Sequence, residues 1–364
     1  MKFRSFALGI ALFAIPATTA PAQIAPCWGD ITHDLSVNVV DLLEVITNWG
    51  PCVGAPPTGN NSPGAEDGGP PPVVYCAADI APPANPDGMI DVNDLLLVVS
   101  GWGPCAVPPP SQGEGYVVWC EDWANANYAR WTSAYNGDTD PCTVAGFDTT
   151  RFQSPSMSMH SQVTCVGGVN GVHRGYGGLR FFGEYVLPNF ATPSAGGIQA
   201  PYGIVIQFRN YLSVPYLFNA QDYDLWMSML TVTDDCSNAW HRVITLNIDD
   251  TTMRLRPQHV TGVQYVFGAP SFPRDVWNRV TVYVNIGEGT MHVWQNGIKI
   301  CQAWFTRPTA QACQFHFGLY CSGANSNISY YEDDFRIIKL TQPLTNFQGE
   351  PAFPNMTSQC ATPP

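Results

Sequence analysis

The chain has 364 residues, with 29 acidic side chains against 16 basic ones and a net charge of −13. That balance excludes attraction to nucleic acid or to an anionic membrane surface. Twelve cysteines without one CxxC pair favour disulfides over metal thiolates.

The chain opens MKFRSFALGIALFAIPATTAPAQ, a basic start followed by a short apolar run and a small-residue cleavage site. Residues 1–22 therefore read as a secretory signal peptide, with Gln23 beginning the mature chain. The protein is expected to be secreted or held at the cell surface. No later apolar run approaches the ~18 residues of a membrane span, so no membrane insertion is expected.

Residues 23–105 contain a repeat. DLSVNVVDLLEVITNWGPC (34–52) returns as DGMIDVNDLLLVVSGWGPC (87–105), which sets Asp41 on Asp94, Trp49 on Trp102 and Cys52 on Cys105. The two units are 27–52 and 76–105, and the pairings Cys27–Cys52 and Cys76–Cys105 would bracket one unit each. Between them, 53–75 is rich in Pro and Gly and reads as an extended tether. Acidity is concentrated here: residues 27–105 carry ten Asp or Glu and neither Lys nor Arg. Such a field attracts cations, unless it serves solvation alone.

The acids follow a register. A calcium loop takes oxygen ligands at positions 1, 3, 5, 7, 9 and 12. Counted from Asp30, these fall on Asp30, Thr32, Asp34, the Ser36 carbonyl, Asn38 and Asp41. Counted back from Asp94, the second unit offers Asp91, the Met89 carbonyl, Asp87 and Asn85. Position 1 then falls on Pro83, and Asp79 takes its place if APPANP loops out; otherwise the second loop has lost its metal. A short helix follows each loop. Val39, Val40, Leu42, Leu43, Val45, Ile46 and Trp49 are expected to bury most of the first, and Val92, Leu95, Leu96, Val98, Val99 and Trp102 most of the second. Gly-Pro ends both.

This duplicated loop–helix pattern resembles a type I dockerin, an EF-hand-like calcium module without the entering helix. The resemblance implies Ca²⁺ as cofactor and a cohesin-like domain as partner. A calcium-stapled spacer without partner is the alternative.

After a second Pro-rich joint (106–115), the body 116–341 alternates short apolar or aromatic runs with turn residues. Strands are expected in YGIVIQFRNYL, DLWMSMLTV, HRVITLNI, RVTVYVNI, TMHVWQNGIKI and ISYYEDDFRIIKL. Gly287–Gly289 and Asn296-Gly297 supply hairpin turns. The fold class expected is mainly β, a jelly-roll sandwich with a small helical module at its N-terminus. Residues 342–364 read as a polar, Pro-rich tail.

WCEDWANANYARW, VWNRVTVYVNIGEGTMHVWQNGIKI and FHFGLYCSGANSNISYYEDDFRII resemble strands of the concanavalin A-like (laminin G/lectin/glucanase) superfamily. The resemblance implies a sandwich that receives an extracellular polysaccharide, with binding as the first reading. The paired-carboxylate E-x-D-x-x-E run of the glucanase branch is absent. In the lyase branch of that superfamily, QFHFGLY is similar to the Y-x-K-x-G-x-Y strand. A polysaccharide lyase acting on a uronate glycan is thus the alternative, with His316, Tyr320, Arg180 and Gln207 as catalytic candidates and Arg174 and Glu184 nearby in sequence. A non-catalytic structural surface protein is the third reading. Glu121, Asp122, Asp333 and Asp334 are either a structural calcium site or solvated acids.

Overall fold

The computed structural model describes residues 29, 31, 36–51, 78, 89–104, 111–123, 130–134, 143–164, 172–187, 196–213, 227–237, 243–249, 252–306, 311–322 and 328–353. The expected signal peptide, the tether 53–75 and the two expected repeat bridges lie outside them. The described residues are mainly β, with two short helices, neither long and apolar enough to cross a membrane.

The repeats build the same local structure twice. Helix α1 (Val39–Thr47) is capped by Asn38, whose Oδ1 accepts the Val40 N–H at 2.8 Å, while Asp41 Oδ2 accepts the Asn38 N–H at 2.8 Å. Helix α2 (Val92–Ser100) repeats this with Asp91 accepting from Asn93 at 2.7 Å and Asp94 from Asp91 at 2.8 Å. Each is a capping box, satisfying donors that a helix start leaves orphaned. Past the helices, Gly50 and Gly103 hold φ of 125° and 126°, which a side chain would resist.

The two units interlock. Ser36–Val37 pairs with Gly103–Pro104, and Gly50–Pro51 with Met89–Ile90, so each loop end meets the Gly-Pro end of the other repeat. Ile31, Val37, Val45, Ala78, Ile90 and Val98 form the core between them. Only one stripe of each helix turns inward, Asp41 and Val45 in one and Asp94 and Val98 in the other. The apolar residues expected to be buried are therefore corrected in part. Val39, Val40, Leu43, Ile46 and Trp49 are 50–54 % exposed, as are Val92, Leu96, Val99 and Trp102 at 52–58 %. A nine-residue helix with apolar residues on several sides has only one side to give to its sister.

The rest of the described chain is a sandwich of two antiparallel sheets. One sheet runs, in spatial order, Tyr185–Val186, Val172–Phe182, Gln314–Ser322, Met227–Thr233, Val243–Ile248 and Leu255–Gln258, with Ser133–Ala134 beside the second of these. The other runs Gly262–Tyr265, Ile298–Trp304, Thr290–Gln295, Trp277–Asn285, Ile204–Leu212, Ile328–Leu340, Ser158–Val163 and Thr143–Asp148, with Gly115–Glu121 also on Ile328–Leu340. Alternation sends Leu179, Phe181, Phe315, Phe317, Leu246 and Ile248 inward from the first, against Ile206, Phe208, Val282, Val293, Phe335 and Ile337 of the second. Trp119, Trp123 and Trp131 close one end, with Trp123 stacked on Trp131 at 5.4 Å between centroids. The Asn296-Gly297 turn joins two paired strands as its turn chemistry requires, with φ of 51° and 91°.

Two boundaries move. Residues 111–112 of the expected joint pair in parallel with Pro351–Ala352 of the expected tail. The tail segment 344–353 lies on the outer face of the second sheet, where Leu344, Phe347 and Phe353 pack on Val205, Tyr283, Trp294 and Ile338. Arg279 pins it through a two-point ion pair with Glu350. Cys236 and Cys313 are bridged, Cys120 is also in a disulfide, and Cys301 is a buried free thiol that burial pushes up to about 12.

Candidate functional site

The outer face of the Val172–Phe182/Gln314–Ser322 sheet gathers polar and aromatic groups. Because Phe315, Phe317 and Leu319 face the core, Gln314, His316 and Tyr320 take the other side. On the neighbouring strand Leu179 and Phe181 face in, leaving Tyr176 and Arg180 out. The Tyr176 ring stacks on His316 at 4.1 Å and meets Tyr320 edge-on at 5.8 Å. The ladder shifts register between Ser228 and Leu230, opposite Tyr320 and Phe317 respectively. Gly318 lies within that shift at φ 113°, and a Cβ there would come 2.6 Å from the Gly175 carbonyl oxygen. Gly318 is the residue directly opposite Tyr176, between His316 and Tyr320.

Two further strands extend the face. Thr231 lies opposite His316, and Thr245 opposite Thr231. Ser228 lies opposite Tyr320, and Asn247 opposite Ser228. All four are buried, while His316 and Tyr320 are partly exposed. Asn247 donates to Gln258 at 2.9 Å, whereas its Oδ1 and Thr245 Oγ1 have no hydrogen-bond partner among the described residues. Buried acceptors of this kind are expensive unless something donates to them.

The sequence candidates separate. His316 and Tyr320 come together. Arg180 is on the same face but at its closed end, opposite Gln314. There its guanidinium donates to the Cys236 carbonyl, and Gln314 donates to the carbonyls of Asp235 at 2.6 Å and Ser237 at 2.7 Å. Burial lowers the Arg180 pKa, with Asp235 opposing. Arg180 thus secures the turn carrying the Cys236–Cys313 bridge. Gln207 does not join them. Ile206 and Phe208 face the core, so Gln207 points out of the opposite sheet, under the tail, near Thr281 and the Pro351 carbonyl. Glu184 is spent on Lys339 at 2.7 Å and Tyr116 at 2.6 Å. The Arg174 backbone pairs opposite Tyr320. Tyr176, Thr231, Thr245 and Asn247 went unread in the sequence, although Thr245 and Asn247 alternate with Ile244, Leu246 and Ile248.

Of the expected calcium ligands, Asp30, Thr32, Asp34, Asp79, Asn85 and Asp87 lie outside the described residues. Ser36, Asn38, Asp41, Met89, Asp91 and Asp94 lie within. Asp41 and Asp94 are fully buried carboxylates, each accepting the backbone N–H three residues earlier. An all-oxygen donor set with two buried carboxylates fits a hard cation. In the sandwich, Asp333 accepts the N–H groups of Gln153, Ser154 and Asp334, and burial pushes its pKa up to about 7. Asp334 accepts from the Ser154 hydroxyl at 2.6 Å, and Glu121 accepts the Trp123 N–H at 3.1 Å. These acids hold turns. No group of three or more His, Cys, Asp or Glu is placed to hold a metal among the described residues.

No family model matches the chain, and no curated protein matches it. Solved structures with a similar arrangement of sheets include an endo-β-1,4-glucuronan lyase from the fungus Trichoderma reesei. It is 12 % identical with a TM-score of 0.43, over 64 % of this chain and 98 % of that one. A cellulose-induced protein, Cip1, is 13 % identical with a TM-score of 0.39, over 60 % and 96 %. The catalytic domain of a glycoside hydrolase family 131 protein from Coprinopsis cinerea is 13 % identical with a TM-score of 0.39, over 64 % and 98 %. Similarity of this degree does not extend to function.

Proposed function

We propose that this is a secreted, modular protein whose sandwich binds an extracellular polysaccharide on the face built by Tyr176, His316 and Tyr320, and whose repeats bind calcium. The observation that carries the reading is the gathering of those three side chains from two neighbouring strands. Sugar C–H faces stack on partly exposed rings such as His316 and Tyr320, whose polar atoms can also meet sugar hydroxyls. Tyr320→Ala should weaken retention on the recognised glycan about tenfold, by loss of one stacking and hydrogen-bonding group. Unchanged retention on a glycan array would overturn this assignment of the face.

Eliminative cleavage of a uronate polymer is the second reading, favoured by the proximity of two proton-transfer groups, His316 and Tyr320, on either side of Tyr176. In that reaction one of these groups, as base, takes the proton α to the uronate carboxylate, the bond to the glycosidic oxygen breaks as the other, as acid, protonates that oxygen, and a ring double bond forms. Tyr320→Phe separates the two readings. A lyase would lose its ultraviolet-absorbing unsaturated product and keep binding, whereas a binding protein gives no product with either residue.

A cohesin-like partner for the repeats belongs to the same reading. It is supported by two equivalent exposed stripes, Val39, Leu43, Ile46 and Trp49 on one helix and Val92, Leu96, Val99 and Trp102 on the other.

A further inference from the structure

The opposite sheet carries a second set of groups with different chemistry. On its outer face, Trp277, Tyr211 and Tyr331 stand side by side on three adjacent strands, since Tyr211 pairs with both of the others. Tyr211 and Trp277 are 5.8 Å apart edge-on. Arg151 lies over this row, 4.4 Å from the Tyr211 ring centre and 4.7 Å from that of Tyr331. One step along the strand is Arg209, directly opposite Arg279.

Arg209 is the unusual residue. It is only partly exposed, and its guanidinium makes no hydrogen bond or ion pair with any described residue. Its neighbour on one side, Arg279, is held by Glu350, and on the other side it lies opposite Asp333. Burial, followed by Arg279, lowers the Arg209 pKa; Asp334 and Glu350 oppose this, and Arg336 adds a smaller lowering. Like charges directly opposite one another destabilise a sheet. In a chain of net charge −13, this is a local cationic patch beside an aromatic row. A planar guanidinium with open donors matches a carboxylate at two points, and the adjoining rings suit the apolar face of a sugar.

We infer that this face is a second glycan site, in which Arg209 takes the carboxylate of a uronate residue whose ring lies against Trp277, beside the Tyr211–Arg151 pair. It goes beyond the polysaccharide face proposed above: it lies on the other sheet, shares no residue with it and selects for negative charge.

The test is affinity electrophoresis of the full chain through gels containing alginate, dextran sulfate or neutral dextran. Arg209→Gln should reduce the affinity for alginate about tenfold or more, the value of a charged hydrogen-bonded contact. Arg254→Gln, the same charge change elsewhere, should leave it unchanged. Arg209→Lys, which keeps the charge and loses the planar fork, should fall between wild type and Arg209→Gln. Thermal melting of each variant separates lost binding from lost folding. Equal losses in Arg209→Gln and Arg254→Gln, or no loss in either, would overturn the site. A loss confined to dextran sulfate would overturn its assignment to carboxylates. Tyr320→Ala in the same gels tells the two faces apart, because failure of one leaves the other's retardation in place.

Discussion

Above about pH 7, the protein is expected to lose stability as pH rises through one side chain, Glu332, at no more than about 1.4 kcal/mol per unit. Glu332 is fully buried between the two sheets, where burial drives its pKa well above the ordinary carboxylate range; the Tyr330 hydroxyl, donating to Oε1 at 2.5 Å, only partly opposes this. Its Oε2 has no hydrogen-bond partner among the described residues, and neither has Oδ1 of Asn210, the residue directly opposite. A proton on Oε2 turns one of two orphaned acceptors into a donor, so the folded state prefers the neutral acid. A carboxyl whose folded pKa is raised contributes its full stability below the unfolded value, and that contribution is lost as pH rises towards the folded value. The window is chosen for the neighbours. Asp333, raised to about 7, gives a slope of the same sign below that pH. His292, which burial lowers to about 3, gives the opposite slope below its unfolded value of about 6.5. Glu332→Gln keeps the shape, supplies a permanent donor and should remove this part of the slope, read as the difference between wild-type and variant denaturant titrations at matched pH. Parallel wild-type and variant curves in that window would show that Glu332 is not held neutral.

Local chemistry was readable in the sequence, whereas long-range neighbours were not. The hairpin at Asn296-Gly297 follows from turn residues flanked by alternating apolar ones, and strand Ile328–Leu340 has the bounds its pattern suggests. Alternation also gives the side of the strand on which His316 and Tyr320 lie. It does not say which sheet a strand enters, so Gln207 could be grouped with them although it projects from the opposite sheet. Tyr176 reaches His316 through a pairing across more than a hundred residues, which no local period encodes. In the repeats the spacing of acids and apolar residues was plain. The division of apolar residues between core and surface was not, because Leu43 and Val45 are alike in hydrophobicity and differ only in which side of the helix meets its sister. The tail misled by composition: Leu344, Phe347 and Phe353 are dispersed among polar residues and Pro, yet they cap a sheet face.

Chelation of divalent ions by EGTA should open the repeats and leave the sandwich intact. Six buried side chains, mostly Val and Ile, form the core of the two interlocked units. Such a core supplies little net stability without staples. Against it stand Asp41 and Asp94, both fully buried, whose Oδ2 atoms accept backbone N–H groups of the caps. A buried carboxylate without a compensating cation costs several kcal/mol. A bound ion removes that cost and adds mass-action stabilisation of about 4 kcal/mol when calcium is ~1,000-fold above its dissociation constant. In hydrogen exchange on the full chain, amides of Val39–Thr47 and Val92–Ser100 should lose protection on chelation, while those of Gln314–Ser322 and Trp277–Asn285 keep theirs. Asp41→Asn separates the ion from the cap. The amide oxygen still accepts the Asn38 N–H, but the charge is gone. In EGTA this variant should protect α1 better than wild type does, and added calcium should no longer raise that protection. If wild-type protection of both helices is the same with and without EGTA, the repeats hold together by packing and capping alone, and the oxygen register from Asp30 onward has no ion to serve.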